Sequence, residues 1–228
     1  MSNVVPIQID FVSDVACPWC AVGLKSLEEA LRRTQDVVAA DLRFQPFELN
    51  PDLPPEGENR DAHLARKYGR SPGELESTRS SLHERAKSLG FEINSSSKSR
   101  MYNTFDAHRL LHWAHTQGRQ RELKHALLKA NFTDDVNVSD PDELTRIAAS
   151  AGLDATQARD VLDSSRYTQE IRDAERRWIE CGITGVPGIV INGKWLISGG
   201  QPPEMFEQAL RQIATEVSAA SKPARSKP

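Results

Sequence analysis

A Cys-Pro-Trp-Cys quartet at residues 17–20 constrains this chain more than any other feature. Cysteines at i and i+3 are neighbours on a helix, so their sulfurs can meet. Upstream, Ile7, Ile9 and Phe11 alternate with Gln8 and Asp10, the period of a strand. The chain then turns through Ser13 and Asp14. Downstream, Cys20, Leu24, Leu27 and Leu31 recur at helical spacing along one face. Pro18 suits a first helical turn, where its missing N–H costs nothing. The quartet therefore marks a strand-to-helix junction, with Cys17 at the helix N-terminus and Cys20 on the apolar stripe.

That placement carries chemistry. Free N–H groups and the helix dipole favour an anion at Cys17. They are expected to draw its thiol from ~8.5 into the ~3.5–7.5 range. Cys17 is then the attacking thiolate and Cys20 the buried, resolving thiol, with exchange running through a mixed disulfide at Cys17. Pro18 and Trp19, between them, are expected to meet substrate. Two other readings remain open. A lone CxxC can be half a zinc site, but a second close ligand pair is missing; the two thiols could also be buried and inert. The chain holds three cysteines, too few and too odd a number for a disulfide scaffold. Cys181 continues the stripe of Ile171, Ala174 and Trp178 and is expected to be a buried hydrophobe.

Leu42 and Phe44 suggest a second strand ending near Pro46. Residues 50–60 are a turn-rich connection. The next ~120 residues read as helices without clear strands. Ala107, Leu110, Leu111 and Ala114 form one stripe; Leu123, Leu127, Leu128 and Phe132 form another. Asp140 is a candidate N-cap, and Gly182 can end the helix holding Ile171 and Trp178. Strands return at 188–191 and 194–197 around Asn192-Gly193, a strong hairpin signal. Pro202 and Pro203 open a final helix with Phe206, Leu210, Ile213 and Val217 on one face. Residues 218–228 are Ser/Ala/Lys/Pro-rich, and disorder is expected there. The order describes an α/β protein with a thioredoxin-like fold. Residues 1–50 and 183–217 form its discontinuous domain, and 51–182 a helical insertion.

A net charge of −3 points to no nucleic-acid partner. No run approaches the ~18 apolar residues of a membrane span. The N-terminus shows no basic leader before an apolar run, which argues against a secretory signal and for a cytoplasmic home.

Gly185-Val186-Pro187-Gly188 precedes the hairpin. A proline opening a strand cannot donate to the ladder. A cis peptide at Pro187 gives it a role: facing the CxxC, the Val186 backbone could pair with an extended substrate. An ordinary tight turn is the plainer reading.

Together, SDVACPWCAVG (13–23), FQPFELNPDLPPEG (44–57), NTFDAHRLLHWA (103–114) and GITGVPGIVINGKWLISGGQPPE (182–204) make the chain resemble the DsbA-like thioredoxin superfamily, and within it the FrnE-like oxidoreductases. The resemblance spans about residues 7–215. It implies a thioredoxin fold with a helical insertion and dithiol–disulfide exchange with protein or small-molecule thiols. It implies Cys17 as nucleophile, Cys20 as resolving thiol and Pro187 as the cis-proline. No cofactor beyond the redox-active pair is implied, though glutathione is compatible as co-substrate and a homodimer as assembly. Ala21, where the family often has an aromatic, and Gly188, where it commonly has a bulkier residue, are expected to open space beside the site. Trp19 replaces the His of DsbA proper, so a weaker oxidant is expected. A sister group holds the 2-hydroxychromene-2-carboxylate isomerases and kappa-class glutathione transferases, which use a Ser near this position. A glutathione-linked isomerase or transferase is therefore one alternative, and a redox-dormant binding or chaperone module another.

Further candidates carry less. Asn103 and His108 fall in a family-like segment and could line the cleft between insertion and active site, as could Phe47. Glu48 could accept the Cys20 proton, against a plainer reading as a solvated charge. His108, His112 and His115 have metal-capable spacing, but without a companion carboxylate motif no metal is expected.

Overall fold

The computed structural model describes residues 4–54 and 56–220. Strand β1 (Val5–Ser13) leads through a short loop to α1 (Pro18–Arg33), and β2 (Val38–Pro46) returns beside β1. The pairing is parallel, Val5 opposite Val38 through Ser13 opposite Pro46. A parallel pair needs a crossover, and α1 supplies it. After the helical region come β5 (Gly188–Ile191), β6 (Trp195–Ser198) and α9 (Pro203–Ala220). The sheet order is β2-β1-β5-β6, with β5 antiparallel to both of its neighbours. Asn192 and Gly193 turn the hairpin with φ of 49° and 63°, the left-handed pair that an Asn-Gly turn accepts. Asn192 also clamps the hairpin to β1: its Oδ1 accepts from Gln8 N at 2.8 Å.

Two cores result. Ile7, Ile9 and Phe11 of β1 pack with Leu24 and Leu27 of α1 and Phe206 and Leu210 of α9. The second core lies within the helical region: α2 (Arg60–Tyr68), α3 (Pro72–Ser88), α4 (Phe105–Thr116), α5 (Gln120–Phe132), α6 (Pro141–Ser150), α7 (Ala155–Leu162) and α8 (Thr168–Glu180). There Leu110, Trp113, Leu123, Leu127, Leu144 and Val161 meet. Val15, from the loop before the quartet, belongs to that second core and is fully buried. The helical region thus grips the loop that presents the cysteines.

The helix starts follow local chemistry. Asp140 Oδ1 accepts from Asp142 N at 2.8 Å, as expected of an N-cap. Ser71 and Glu74 form a reciprocal capping box at α3, a signal the sequence carries in Ser-Pro-Gly-Glu. Gly182 (φ 87°) ends α8. Its N–H bonds Ile179 O, and Ile183 N bonds Trp178 O, which satisfies the last carbonyls.

Four expectations need correction. The helical region contains a two-residue pair, β3 (Glu58–Asn59) with β4 (Arg100–Met101). Residues 218–220 continue α9 instead of starting a tail; the rest of that stretch, 221–228, lies outside the described residues. Cys181 is exposed, not buried. It caps a helix whose ladder has ended, and the αL turn at Gly182 sends Ile183 inward in its place. Nor do Ala21 and Gly188 open space: Ala21 is 1% exposed within the first core, and a Cβ at Gly188 would meet Ile183 Cδ1 at 3.3 Å.

Candidate active site

Cys17 is the N-cap of α1 (φ −93°, ψ 111°), with Pro18 in the first turn. Its carbonyl starts the ladder, accepting from Cys20 N at 3.0 Å. No side chain caps this end, and the first turn holds no acid. The N–H groups and the positive end of the dipole are left to the sulfur that sits there.

The sheet register brings the second element in. Val12 pairs with Gly188, so the residues before Gly188 run past the end of β1, beside the quartet. The Val186–Pro187 peptide is cis, and Cys17 Sγ donates to Val186 O across 3.6 Å. Small residues permit the approach. A Cβ on Gly23 would stand 3.0 Å from Pro187 Cγ, and one on Gly200 would stand 2.9 Å from Trp19 O. Arg85 closes this flank, donating to Gly200 O at 2.7 Å and lying 5.9 Å from the Trp19 ring centroid.

Cys17, Pro18, Trp19 and Val186 line one cleft, of about 460 Å³, whose opposite wall comes from α2 and α3. Sequence reasoning missed that wall. Arg60 and Lys67 bring positive charge to it, and their hydrogen bonds go to neutral oxygens. Arg60 reaches Arg100 O; Lys67 reaches Leu49 O and Asn50 Oδ1 at 2.6 and 2.7 Å. His63 is held between Glu58 Oε2 and Asn50 Oδ1, each at 2.9 Å.

Behind the quartet the setting changes. Cys20 is fully buried. Burial, and then its neighbour Cys17, push its thiol well above the ordinary range, while Lys124 and the Asp14 backbone pull it down. Asp14 organises the loop. Its carboxylate accepts from Ala16 N at 3.1 Å, Leu49 N at 2.7 Å and Thr104 Oγ1 at 2.7 Å, and lies 3.5 Å from His108 Nε2. Burial raises that carboxyl, but His108, the Leu49 N–H and Thr104 outweigh burial and hold it below its usual value. Asn131 Nδ2 donates to Val15 O at 3.0 Å. Lys124, from α5, is fully buried as well.

The remaining sequence candidates are placed elsewhere. His108 lies behind the quartet against Asp14, not in the cleft. Asn103 donates to Pro51 O at 2.9 Å and Glu48 Oε1 at 3.3 Å, and accepts from Phe105 N. Phe47 packs near Val12, Trp178 and Ile183. Glu48 is not a solvated charge. Its side chain is 2% exposed and paired with Arg172, and burial beside Glu175 raises its carboxyl. Of the other two histidines, His112 has its ring centroid 4.9 Å from that of Tyr167, tilted by 44°, and His115 is exposed.

Comparison with known proteins agrees with this geometry. Residues 8–211 match the model of the DSBA-like thioredoxin domain. The chain is 30% identical over 205 residues to YwbO of Bacillus subtilis (strain 168), covering 90% of this chain and 96% of that one. Among solved structures, a probable DsbA oxidoreductase from Streptomyces coelicolor is 34% identical at a TM-score of 0.85, over 97% of this chain and 94% of that one. The cytosolic disulfide reductase DsbM of Pseudomonas aeruginosa, solved with GSH, shares the fold at 15% identity and a TM-score of 0.62, over 91% and 99% of the two chains.

Proposed function

Because this chain belongs to the DSBA-like thioredoxin family, we propose that it exchanges disulfides through Cys17 and Cys20, taking a small anionic thiol such as glutathione as co-substrate. The observation that carries the reading is the asymmetry of the pair. Cys17 faces the cleft and Val186 O from an uncapped helix N-terminus, and Cys20 is sealed behind it. A substrate disulfide in the cleft is attacked by the Cys17 thiolate and leaves one thiolate. Cys20 then attacks the mixed disulfide, the second substrate thiolate departs, and the pair is oxidised by two electrons. The reverse sequence reduces it. Val186 offers backbone for an extended peptide. Arg60 and Lys67 offer charge to the carboxylates of a smaller thiol. No helix among the described residues is long and apolar enough to cross a membrane. A cytoplasmic site of action, as for DsbM, belongs to this proposal, as does the FrnE-like subtype.

The test is the Cys17–Cys20 redox equilibrium across a glutathione series, read by mass spectrometry after thiol alkylation, with Cys17→Ser as control. A pair that cycles near the glutathione poise is expected. A folded protein that never forms this disulfide overturns the reading.

A further inference from the structure

A second cavity, of about 350 Å³, shares no lining residue with the cleft. It is walled by β2, α4, α5 and α8, and Phe44, His108, Lys124, Ala174 and Arg177 are among its lining. Its volume is room for several waters. Lys124 reaches it from α5. The side chain is fully buried, its Nζ lies 5.8 Å from the Phe44 ring centroid, and it has no hydrogen-bond partner among the described residues. An ammonium placed so is costly, because three donors go unmet in a low-dielectric site. Leu123, Leu127 and Leu128 surround it in sequence and are also buried, so an apolar residue would serve packing alone better. The charges of Cys20, Asp14 and Cys17 all act on Lys124, and the cavity gives its buried end a polar, water-sized space.

We propose that Lys124 is the base for the buried Cys20: its amine receives the Cys20 Sγ proton and passes it to water in this rear cavity. The inference rests on the disulfide exchange proposed above and supplies a step that exchange leaves open. A fully buried thiol must ionise to attack, and bulk base cannot reach it. In the balanced step, Cys20 S–H and the Lys124 amine become thiolate and ammonium. The thiolate attacks Cys17 Sγ, the Cys17–substrate bond breaks, and the substrate thiolate leaves by the front cleft. The ammonium then returns its proton to water in the rear cavity. Burial favours the neutral amine, while Cys20, Asp14 and Cys17 oppose it. The cavity wall adds His108 and His112 from α4, and Glu170, Asp173 and Arg177 from α8. Of these, Lys124 Nζ and His108 Nε2 are buried without a hydrogen-bond partner among the described residues; His108 Nε2 lies 3.5 Å from Asp14, whereas Lys124 forms no ion pair there and its charge acts on Cys20.

The test mixes reduced protein with oxidised glutathione in a quenched-flow instrument. Acid quench, alkylation and mass spectrometry then follow the Cys17–glutathione adduct and its conversion to the Cys17–Cys20 disulfide. In Lys124→Met, adduct formation stays near the wild-type rate, which also reports an intact fold and cleft. Resolution slows on the order of 10²-fold, the scale of a lost general base. Its rate climbs with pH across about pH 6–9, whereas wild type levels off once the amine is neutral. Lys124→Arg resolves as slowly, because a guanidinium holds its proton. Ala174→Leu, which narrows the cavity and leaves Lys124 in place, also slows resolution. Wild-type resolution in Lys124→Met overturns the proposal, as does full rescue by Arg or an unaffected Ala174→Leu. A wild-type protein that forms neither adduct nor disulfide would overturn the exchange reading instead.

Discussion

Cys17 and Cys20 sit one helical turn apart and look onto two different media. In front of Cys17 lies a cleft with charges at its rim, exposed Lys67 among them, and backbone offered by Val186. Behind Cys20 lie fully buried groups: Asp14 with its loop donors, His108, and Lys124 beside a small cavity. The front is built to meet a changing partner, so its interactions are screened and adaptable. The back never meets substrate, so its charges act at low dielectric, where each is strong and each unmatched group is costly.

The largest break in that comparison comes from swapping the sulfurs one at a time. Cys17→Ser removes the one cysteine that lines the cleft among the described residues, and turnover of oxidised glutathione is expected to fall to background with no covalent adduct. Cys20→Ser leaves the front intact. It should form the Cys17 adduct at a near-normal rate and stall there, with the adduct accumulating toward one per chain by intact mass. Equal adduct yields in the two variants would mean that front and back are not distinct.

Asp14 tests the back by itself. Asp14→Asn keeps the shape but replaces a charged acceptor with an amide that turns N–H groups toward N–H and O–H donors. A loss of roughly 1.5–3 kcal/mol is expected in urea unfolding at pH 7, the range of a hydrogen bond to a charged group. The pH dependence fixes the cause. The folded carboxyl is held below its ordinary value, so its contribution is fully present above the unfolded Asp pKa of about 3.9 and is lost as pH falls through the lower folded value. The gap between wild type and variant should therefore be constant from pH 7 to 5 and close below about pH 4. A gap unchanged at pH 3 would assign the loss to packing.

Much of the front was legible in the sequence, and little of the back. The quartet, Pro187 and the Asn192-Gly193 turn are local patterns whose geometry follows from dihedral preferences within a few residues. Lys124 is a lysine on an amphipathic helix, and nothing local separates it from a solvated one. Tertiary packing buries it, beside Phe44 of β2. Asp14 read as a turn residue because its partners, Leu49 and Thr104, are 35 and 90 residues away. Cys181 was misplaced by extending a helical period past the helix's end. Gly188 was misread because a missing side chain was equated with space, which Ile183 fills.

The smallest expected effect sharpens the contrast most directly, because it concerns screening and not position. Lys67 is exposed at the cleft, its Nζ on Leu49 O and Asn50 Oδ1. Lys67→Gln should raise KM for oxidised glutathione, with kcat unchanged. An exposed charge pair contributes about 0.2–1 kcal/mol, hence a shift of up to about 5-fold. At about 1 M salt the Debye length falls to ~3 Å, and wild type and variant should converge. The slow resolution of Lys124→Met should survive the same salt, because Lys124 and Cys20 are themselves fully buried and a lost proton acceptor is not restored by screening. If salt erased both effects, Lys124 would be acting as a screened charge and not as a proton acceptor. If it erased neither, the Lys67 effect would be one of shape, and the front would be less open than the cleft suggests.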